Sequence, residues 1–423
     1  MKNIVIGVWN TIRNVHWVQV SLFLVFVSIP LYNNLNSYTL VLFSIAGIFT
    51  NSFQSKRARL VNDYFWLFSI LYFFVIACSV LWDPNGLKAF KSVEKNASFL
   101  IIGPVIAALA PIRNQLIKKY LLSFAFSTVL VCLLCLLLAW NEYHSLGDYR
   151  VFYYQYLSNQ MDMNAIYLSL YAAMSLLVLV YYSFIKSEIR TPILKFAVIV
   201  ICLFLCVVVL LLSSKMIIFL LCFLIVGTAL YVSYLKKFLW QGALLVILFV
   251  VGSGALLWQM PYVKWRIQVT ILKDYENKDD DQNGLAVRQR IWKNSTDLIA
   301  KRPLLGYGIR SGNETLVRKH EETNFEFAAQ NMYNSHNLYL QVLLNTGIAG
   351  LIPILVLFFL GLRASVRRRS YLFICFMVLV LGLSLTESLL EVQKGIVFVV
   401  VFLFMLYYHP PENRDKSIKN SSN

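Results

Sequence analysis

The residues best suited to chemistry gather in one hydrophilic stretch, about 259–335, and at its far edge. Arg288 and Arg290 open an amphipathic pattern in which Val287, Ile291, Leu298 and Ile299 recur at helical spacing. A helix N-terminus repels cations, so an arginine placed there suits an incoming anion that the helix amides also favour. Surface pairing with Asp297 or Glu276 is the plainer alternative for either arginine. His336 follows in Ser-His-Asn-Leu-Tyr-Leu-Gln, residues 335–341, where a long apolar run begins. Asn334 or Ser335 could cap that helix, and its positive end keeps the imidazole neutral and ready to accept a proton. An interfacial histidine bonded to a neighbour is the other reading. His16 and His409 flank terminal apolar runs, and His144 and His320 lie in unpatterned loop.

The elements that must position these residues are membrane helices. Hydrophobic residues make up 59% of the 423-residue chain and charged residues 14%, with mean hydropathy +0.65. Soluble domains sit nearer a quarter charged. Apolar runs of about 20 residues recur throughout, each long enough to cross about 30 Å of hydrocarbon, and backbone groups in lipid must be satisfied within the segment. We read about twelve spans: 18–32, 36–53, 63–82, 97–112, 118–140, 163–185, 193–212, 215–235, 239–258, 336–362, 371–388 and 393–408. Met1 to Trp17 is mixed polar and leads straight into further spans, so no cleavable signal peptide is expected. The organisation is then a bundle over 1–258, a loop domain over 259–335, a second bundle section over 336–408 and a tail over 409–423.

Charge sets the orientation. With the N-terminus cytoplasmic, Lys56, Arg57 and Arg59, then Arg113, Lys118 and Lys119, then Lys186, Arg190 and Lys195 all fall inside. Lys236, Lys237, Arg363, Arg367, Arg368 and Arg369 join them, and the short loops opposite carry far fewer cations. This bias places both termini inside and the long loop outside. The net charge of +17 is therefore topological, lying against the anionic inner leaflet, and does not indicate nucleic acid. Lys91 and Lys95, four apart on the outside segment 83–98, could steer an anionic lipid; solvated interfacial lysines are the alternative.

The seven cysteines all fall in apolar runs and suit packing. There is no Walker A loop, GxGxxG, HExxH or Asp-x-Asp pair, and Asp279-Asp280-Asp281 reads as a solvated turn. Within the loop, Val263, Ile267 and Ile271 suggest one helix and 286–301 a second, ended by Lys301-Arg302-Pro303. Leu304-Leu305-Gly306-Tyr307-Gly308 follows as a turn. Residues 312–334 are polar and give no pattern.

Arg288-Gln-Arg-Ile-Trp292, Arg302-Pro-Leu-Leu-Gly-Tyr-Gly308 and His336-Asn-Leu-Tyr-Leu-Gln341, with Gly347 and Gly350, resemble the signature of the O-antigen ligase/polymerase superfamily. The motifs cover about 286–360, and the span layout with its late outside loop extends the likeness. The resemblance implies an all-α, GT-C-like integral membrane glycosyltransferase with a partly helical periplasmic loop between spans 9 and 10. It implies an undecaprenyl-diphosphate-linked glycan as donor, no cofactor, and a site at the outer face of the bacterial inner membrane. The acceptor is lipid A-core for ligases and another lipid-linked repeat for polymerases; loop placement and length favour the ligase. By position, His336 matches the family's essential histidine and Arg288 its arginine before the Trp, with Arg290 beside it. Lys215 stands where the family usually has arginine, offering a point charge in place of a planar fork. Glu387, in Thr386-Glu387, matches a late acidic position, and a carboxylate at that depth in a span is costly enough to suggest function.

Displacing a sugar from a diphosphate requires cations on the leaving group and a base for the incoming hydroxyl. Lys215, Arg288 and Arg290 would meet the first need without metal and His336 the second, with inversion at the anomeric carbon. A transporter of lipid-linked sugars is the rival reading. It would want charged or broken helices mid-membrane and repeat symmetry, and the sequence shows little of either.

Overall fold

The structure, a computed structural model, describes residues 17–50, 53–61, 63–189, 191–236 and 284–409. The expected span 239–258, the helix around Val263, the run Asp279–Asp281 and both tails lie outside these residues. Among the described residues every regular element is helical. In order they are α1 (Trp17–Ser28), α2 (Asn33–Phe49), α3 (Phe53–Val61), α4 (Phe65–Ser79), α5 (Phe90–Lys95), α6 (Ala97–Leu109), α7 (Asn114–Leu146), α8 (Tyr154–Asn159) and α9 (Ala165–Val180). There follow α10 (Pro192–Leu211), α11 (Lys215–Lys236), α12 (Gly284–Lys301), α13 (Ser311–Glu322), α14 (Glu326–Gln330), α15 (Leu338–Arg367), α16 (Tyr371–Ser384) and α17 (Gln393–Tyr407). Each expected span other than 239–258 falls on a helix. Among the described residues five segments are long and apolar enough to cross a membrane, namely Gly86–Leu109, Asn114–Leu146, Ala165–Ile185, Pro192–Leu211 and Leu338–Arg367, and further apolar helices are shorter. The chain is a membrane protein whose described residues are all-helical.

Composition along each helix decides its place. A helix apolar all round belongs in the interior, and α17 is buried from Lys394 through Leu406. Its Phe398 and Phe402 rings lie 4.6 Å apart, and Phe402 meets Phe124 of α7 at 4.9 Å. The apolar window of α9 is 83% buried, against 22% for that of α10. Ile193, Leu194, Phe196 and Leu203 of α10 are exposed, as expected of a lipid-facing rim.

The loop packs as a small satellite. Val287, Ile291 and Leu298 of α12 meet Leu316, Phe325, Ala328 and Leu344, so the apolar face expected for 286–301 is the face that docks. The unpatterned stretch 312–334 contains α13 and α14, whose polar surfaces left no strong periodicity. His320 is buried within this satellite, its Nδ1 3.0 Å from the Asn294 amide nitrogen, and burial pushes its pKa down to about 4. It is a structural histidine.

The glycine-rich turn docks onto a deliberate break in α15. Gly347 has φ 62° and ψ −160°, a region closed to side-chain-bearing residues. The break frees carbonyls and amides that the 303–308 segment then satisfies. Tyr307 and Gly308 donate their N–H groups to the Leu344 and Asn345 carbonyls at 2.8 and 2.9 Å, and Ile348 and Ala349 donate to Pro303 and Leu304. A Cβ on Gly347 would meet the Leu304 carbonyl at 2.3 Å, and one on Gly306 the Leu344 carbonyl at 2.6 Å. Both glycines serve close backbone approach.

A second anchor ties the loop to the end of α4. Asp83 accepts from the Arg310 and Ser311 amides, the Ser311 hydroxyl and the Asn85 amide. Burial works against its charge, yet these bonds hold the carboxyl below the usual range. Nothing in the sequence pairs residues so far apart.

Candidate functional site

A cleft of about 660 Å³ opens where the loop meets the helix ends. It is lined by Tyr154, Asn164, Tyr167, Ser213 to Met216, Val287, Arg288, Tyr333, Asn334, His336 and the turn Thr386 to Val392, Leu390 excepted. Its size is that of a small-molecule site.

Arg288 and Trp292 sit four apart on α12, hence on one face. The Trp292 indole donates to the Ser335 carbonyl at 3.0 Å, and Arg288 Nη2 lies 3.0 Å from Glu387 Oε1. The second Glu387 oxygen lies 3.3 Å from His336 Nδ1. One carboxylate therefore joins the arginine and the histidine, with side-chain exposures of 34% for Arg288, 16% for Glu387 and 28% for His336. Glu387 lies just beyond the end of α16, in the turn leading to α17, its amide donating to the Leu383 carbonyl.

His336 precedes α15 instead of opening it. Asn337 is the cap, its Oδ1 accepting from the Tyr339 and Leu340 amides; the expected caps, Asn334 and Ser335, do other work. Asn334 Oδ1 accepts from the His336 amide at 2.9 Å, and Ser335 donates its hydroxyl to the Asn337 carbonyl. These bonds hold His336 at φ 43°, left-handed geometry that non-glycine residues adopt rarely and that clusters at functional sites. The Tyr333 ring meets the imidazole edge-on at 5.2 Å.

Lys215 begins α11 and lines the same cleft. Arg290 does not reach it. Its guanidinium donates to the Thr323 and Asn324 carbonyls beyond the C-terminus of α13 and stacks over Phe325 at 4.3 Å. A cation there is favoured by the dipole of α13, so the structure gives Arg290 a loop-holding position. Lys91 and Lys95 line a separate groove of about 380 Å³ with Ser37, Glu94 and Gln393.

Sequence reasoning missed Glu391, which lines the cleft and also a small inner cavity shared with Lys95, Tyr72 and Asn345. Asn345 donates its amide to Glu391 at 2.8 Å, Gln341 donates to Asn345 Oδ1, and the Ser335 amide donates to Gln341 Oε1. A buried polar chain thus runs from Glu391 to the residue before His336. Burial lifts the Glu391 carboxyl to about 7, against the pull of the Asn345 amide and the Lys95 ammonium. The available signal was two acids four apart, Glu387 and Glu391, in an otherwise apolar stretch. Among the described residues no group of three or more His, Cys, Asp or Glu side chains comes together as a metal site.

The fold and cleft define a polytopic membrane protein with a cationic, carboxylate-linked site at the loop end of its bundle. Residues 197–355 match the profile of the family described as O-antigen ligase. That stretch, about three-eighths of the chain, contains Lys215, Arg288 and His336 but not Glu387 or Glu391. No curated protein matches the chain.

Proposed function

We propose that the protein is a glycosyltransferase of the ligase type, moving a glycan from undecaprenyl diphosphate onto a hydroxyl of lipid A-core at the periplasmic face of the inner membrane. The observation that carries this reading is the Arg288–Glu387–His336 chain facing Lys215 across one cleft. With the imidazole hydrogen on Nδ1, directed at Glu387, Nε2 is left as proton acceptor; a carboxylate that orients an imidazole in this way is a recurrent device of proton-transfer catalysis. The acceptor hydroxyl oxygen bonds to the anomeric carbon from the side opposite the diphosphate, and its proton passes to Nε2. The bond from the anomeric carbon to the diphosphate oxygen breaks, and undecaprenyl diphosphate leaves with the electron pair. Arg288 and Lys215, which both line the cleft, would neutralise that leaving group, so the reading calls for no metal.

The test is His336→Ala in purified, membrane-reconstituted protein. Turnover should fall about 10²–10⁴-fold, the usual worth of a positioned base, while donor binding changes little. Full activity in folded His336→Ala protein would overturn the mechanism. In cells, inactivation should strand full-length polymer on the lipid carrier; single stranded repeats would instead identify a polymerase. Cysteine labels at exposed Lys301 and Arg369 report orientation, with only the first reachable by an impermeant reagent from the periplasm.

A further inference from the structure

A second cleft, of about 550 Å³, lies outside the site just described. It forms between the last turns of α7, which supply Asn141, Glu142 and Ser145, and α8, which supplies Tyr156 and Asn159, with Gln160 following. The 33 residues of α7 rise about 50 Å at 1.5 Å each, well beyond about 30 Å of hydrocarbon, so these turns can stand clear of the bilayer.

The lining is chemically selective. Beside Leu138, three amides, two hydroxyls and one carboxylate offer paired donors and acceptors, and no lysine or arginine is among them. A phosphate or anionic headgroup would find no counter-charge there and would meet Glu142. A lone carboxylate is also a poor cation site. The Tyr156 ring is 56% exposed, free to take the C–H face of a sugar ring, while amides and carboxylate suit vicinal hydroxyls. The polar groups are partly pre-positioned, since Gln160 donates to Glu142 and Gln155 donates to Asn159.

Position gives the source of the sugar. Tyr154 at the start of α8 lines the reaction cleft, whereas Tyr156 and Asn159, further along the same short helix, line this one. A glycan whose reducing end lies between His336 and Arg288 can pass along α8 into the second cleft. We propose that this cleft is a subsite for neutral sugar rings of the donor glycan, remote from the bond that is broken. The proposal rests on the glycosyltransferase reading, and its test separates the two.

The probe is the free oligosaccharide released by mild acid from the carrier-linked glycan that accumulates when the protein is inactivated. It binds the full-length protein in nanodiscs without any reaction, so binding is measurable in His336→Ala protein as well. Tyr156→Ala and Asn159→Ala should each raise its Kd about tenfold, and Tyr156→Phe, which keeps the ring, should not. In transfer assays the same two alanine variants should raise KM for a long-chain donor about tenfold with kcat unchanged, and leave a single-sugar donor unaffected. Should Tyr156→Ala fail to fold, the exposed Asn159→Ala carries the test. Unchanged oligosaccharide affinity in the alanine variants would overturn the subsite, as would a raised KM for the acceptor in place of the donor. Absent transfer with intact, Tyr156-dependent binding would sink the catalytic reading alone.

Discussion

Glu387→Gln separates the two roles that meet on one carboxylate. Arg288 Nη2 lies 3.0 Å from Oε1 and His336 Nδ1 3.3 Å from Oε2, so the isostere fits without new space. At 3.0 Å and an effective dielectric of about 20 the gross Arg288–Glu387 attraction is about 5 kcal/mol. With Arg288 34% exposed, the net value falls to about 1–2 kcal/mol, between an exposed and a fully buried pair. An incoming diphosphate must compete with Glu387 for that guanidinium, so removing the carboxylate charge should leave donor affinity intact or tighten it, by up to about tenfold. Turnover should move the other way. The guanidinium will hold the glutamine carbonyl oxygen, which turns the amide nitrogen toward His336 Nδ1. That nitrogen must then accept, the hydrogen moves to Nε2, and the imidazole loses the lone pair that takes the acceptor proton. A loss of about 10²–10⁴-fold in kcat follows, some 3–5 kcal/mol of transition-state stabilisation. The assay is single-turnover transfer from a labelled lipid-linked glycan in nanodiscs, with donor Kd measured separately. Near-native kcat, or donor affinity lost as deeply as in Arg288→Ala, would refute the reasoning.

Lys215→Ala should weaken donor binding and turnover together, whereas Lys215→Arg should keep measurable activity because the charge at the mouth of α11 is retained; equal loss in both would show that its charge is not what matters. Transfer in vitro should survive excess EDTA, and abolition by the chelator with rescue by one metal would redirect attention to Asp279–Asp281. Arg290→Ala should lower thermal stability by about 1–3 kcal/mol through loss of charged hydrogen bonds to carbonyls while donor Kd stays within about twofold; a selective loss of donor affinity would return Arg290 to the site. Glu391, raised to about 7 in the folded protein, contributes stability that is fully present below its unfolded value and lost as pH rises through 7. The swing is about 3 kcal/mol for a shift of about 2.5 pH units. Thermal stability should therefore fall between pH 5 and pH 8, and Glu391→Gln should flatten the slope; an unchanged slope would show that Glu391 stays charged when folded.

Much of the frame is legible because lipid imposes a simple rule: apolar length alone located α1, α2, α4, α6, α7, α9 to α11 and α15 to α17, whereas the short α3, α5 and α8 carried no such signal. The docking face of α12 was equally plain, since Val287, Ile291 and Leu298 repeat at helical spacing and must bury together. Arg290 shows where the reading went too far. It lies two residues from Arg288, and on a helix residues two apart face different ways, so one anion site could not readily claim both. Glu391 shows the opposite failure, an acid whose meaning depends on Asn345 and Lys95 and so on packing. The bond from Asp83 to Ser311 joins stretches 228 residues apart, and no local pattern encodes it.

The proposed mechanism needs its side chains held to well under an ångström for proximity to count, and the holding falls to backbone devices. The break at Gly347 lets 303–308 bond to α15 from both sides, which fixes the C-terminal end of α12 against the helix that His336 precedes. At the other end of the contact, Trp292 clamps the Ser335 carbonyl one turn along from Arg288. The two restraints act on α12 from opposite directions and leave Arg288 little freedom relative to His336. The third partner, Glu387, arrives on a turn held by Asn337 Nδ2 at the Leu385 carbonyl and by the Ser388 hydroxyl at Asn334 Oδ1. The glycines of the Arg302–Gly308 motif and Gly347 thus belong to the site by what they let approach: none touches the cleft, yet the distance between guanidinium and imidazole depends on them.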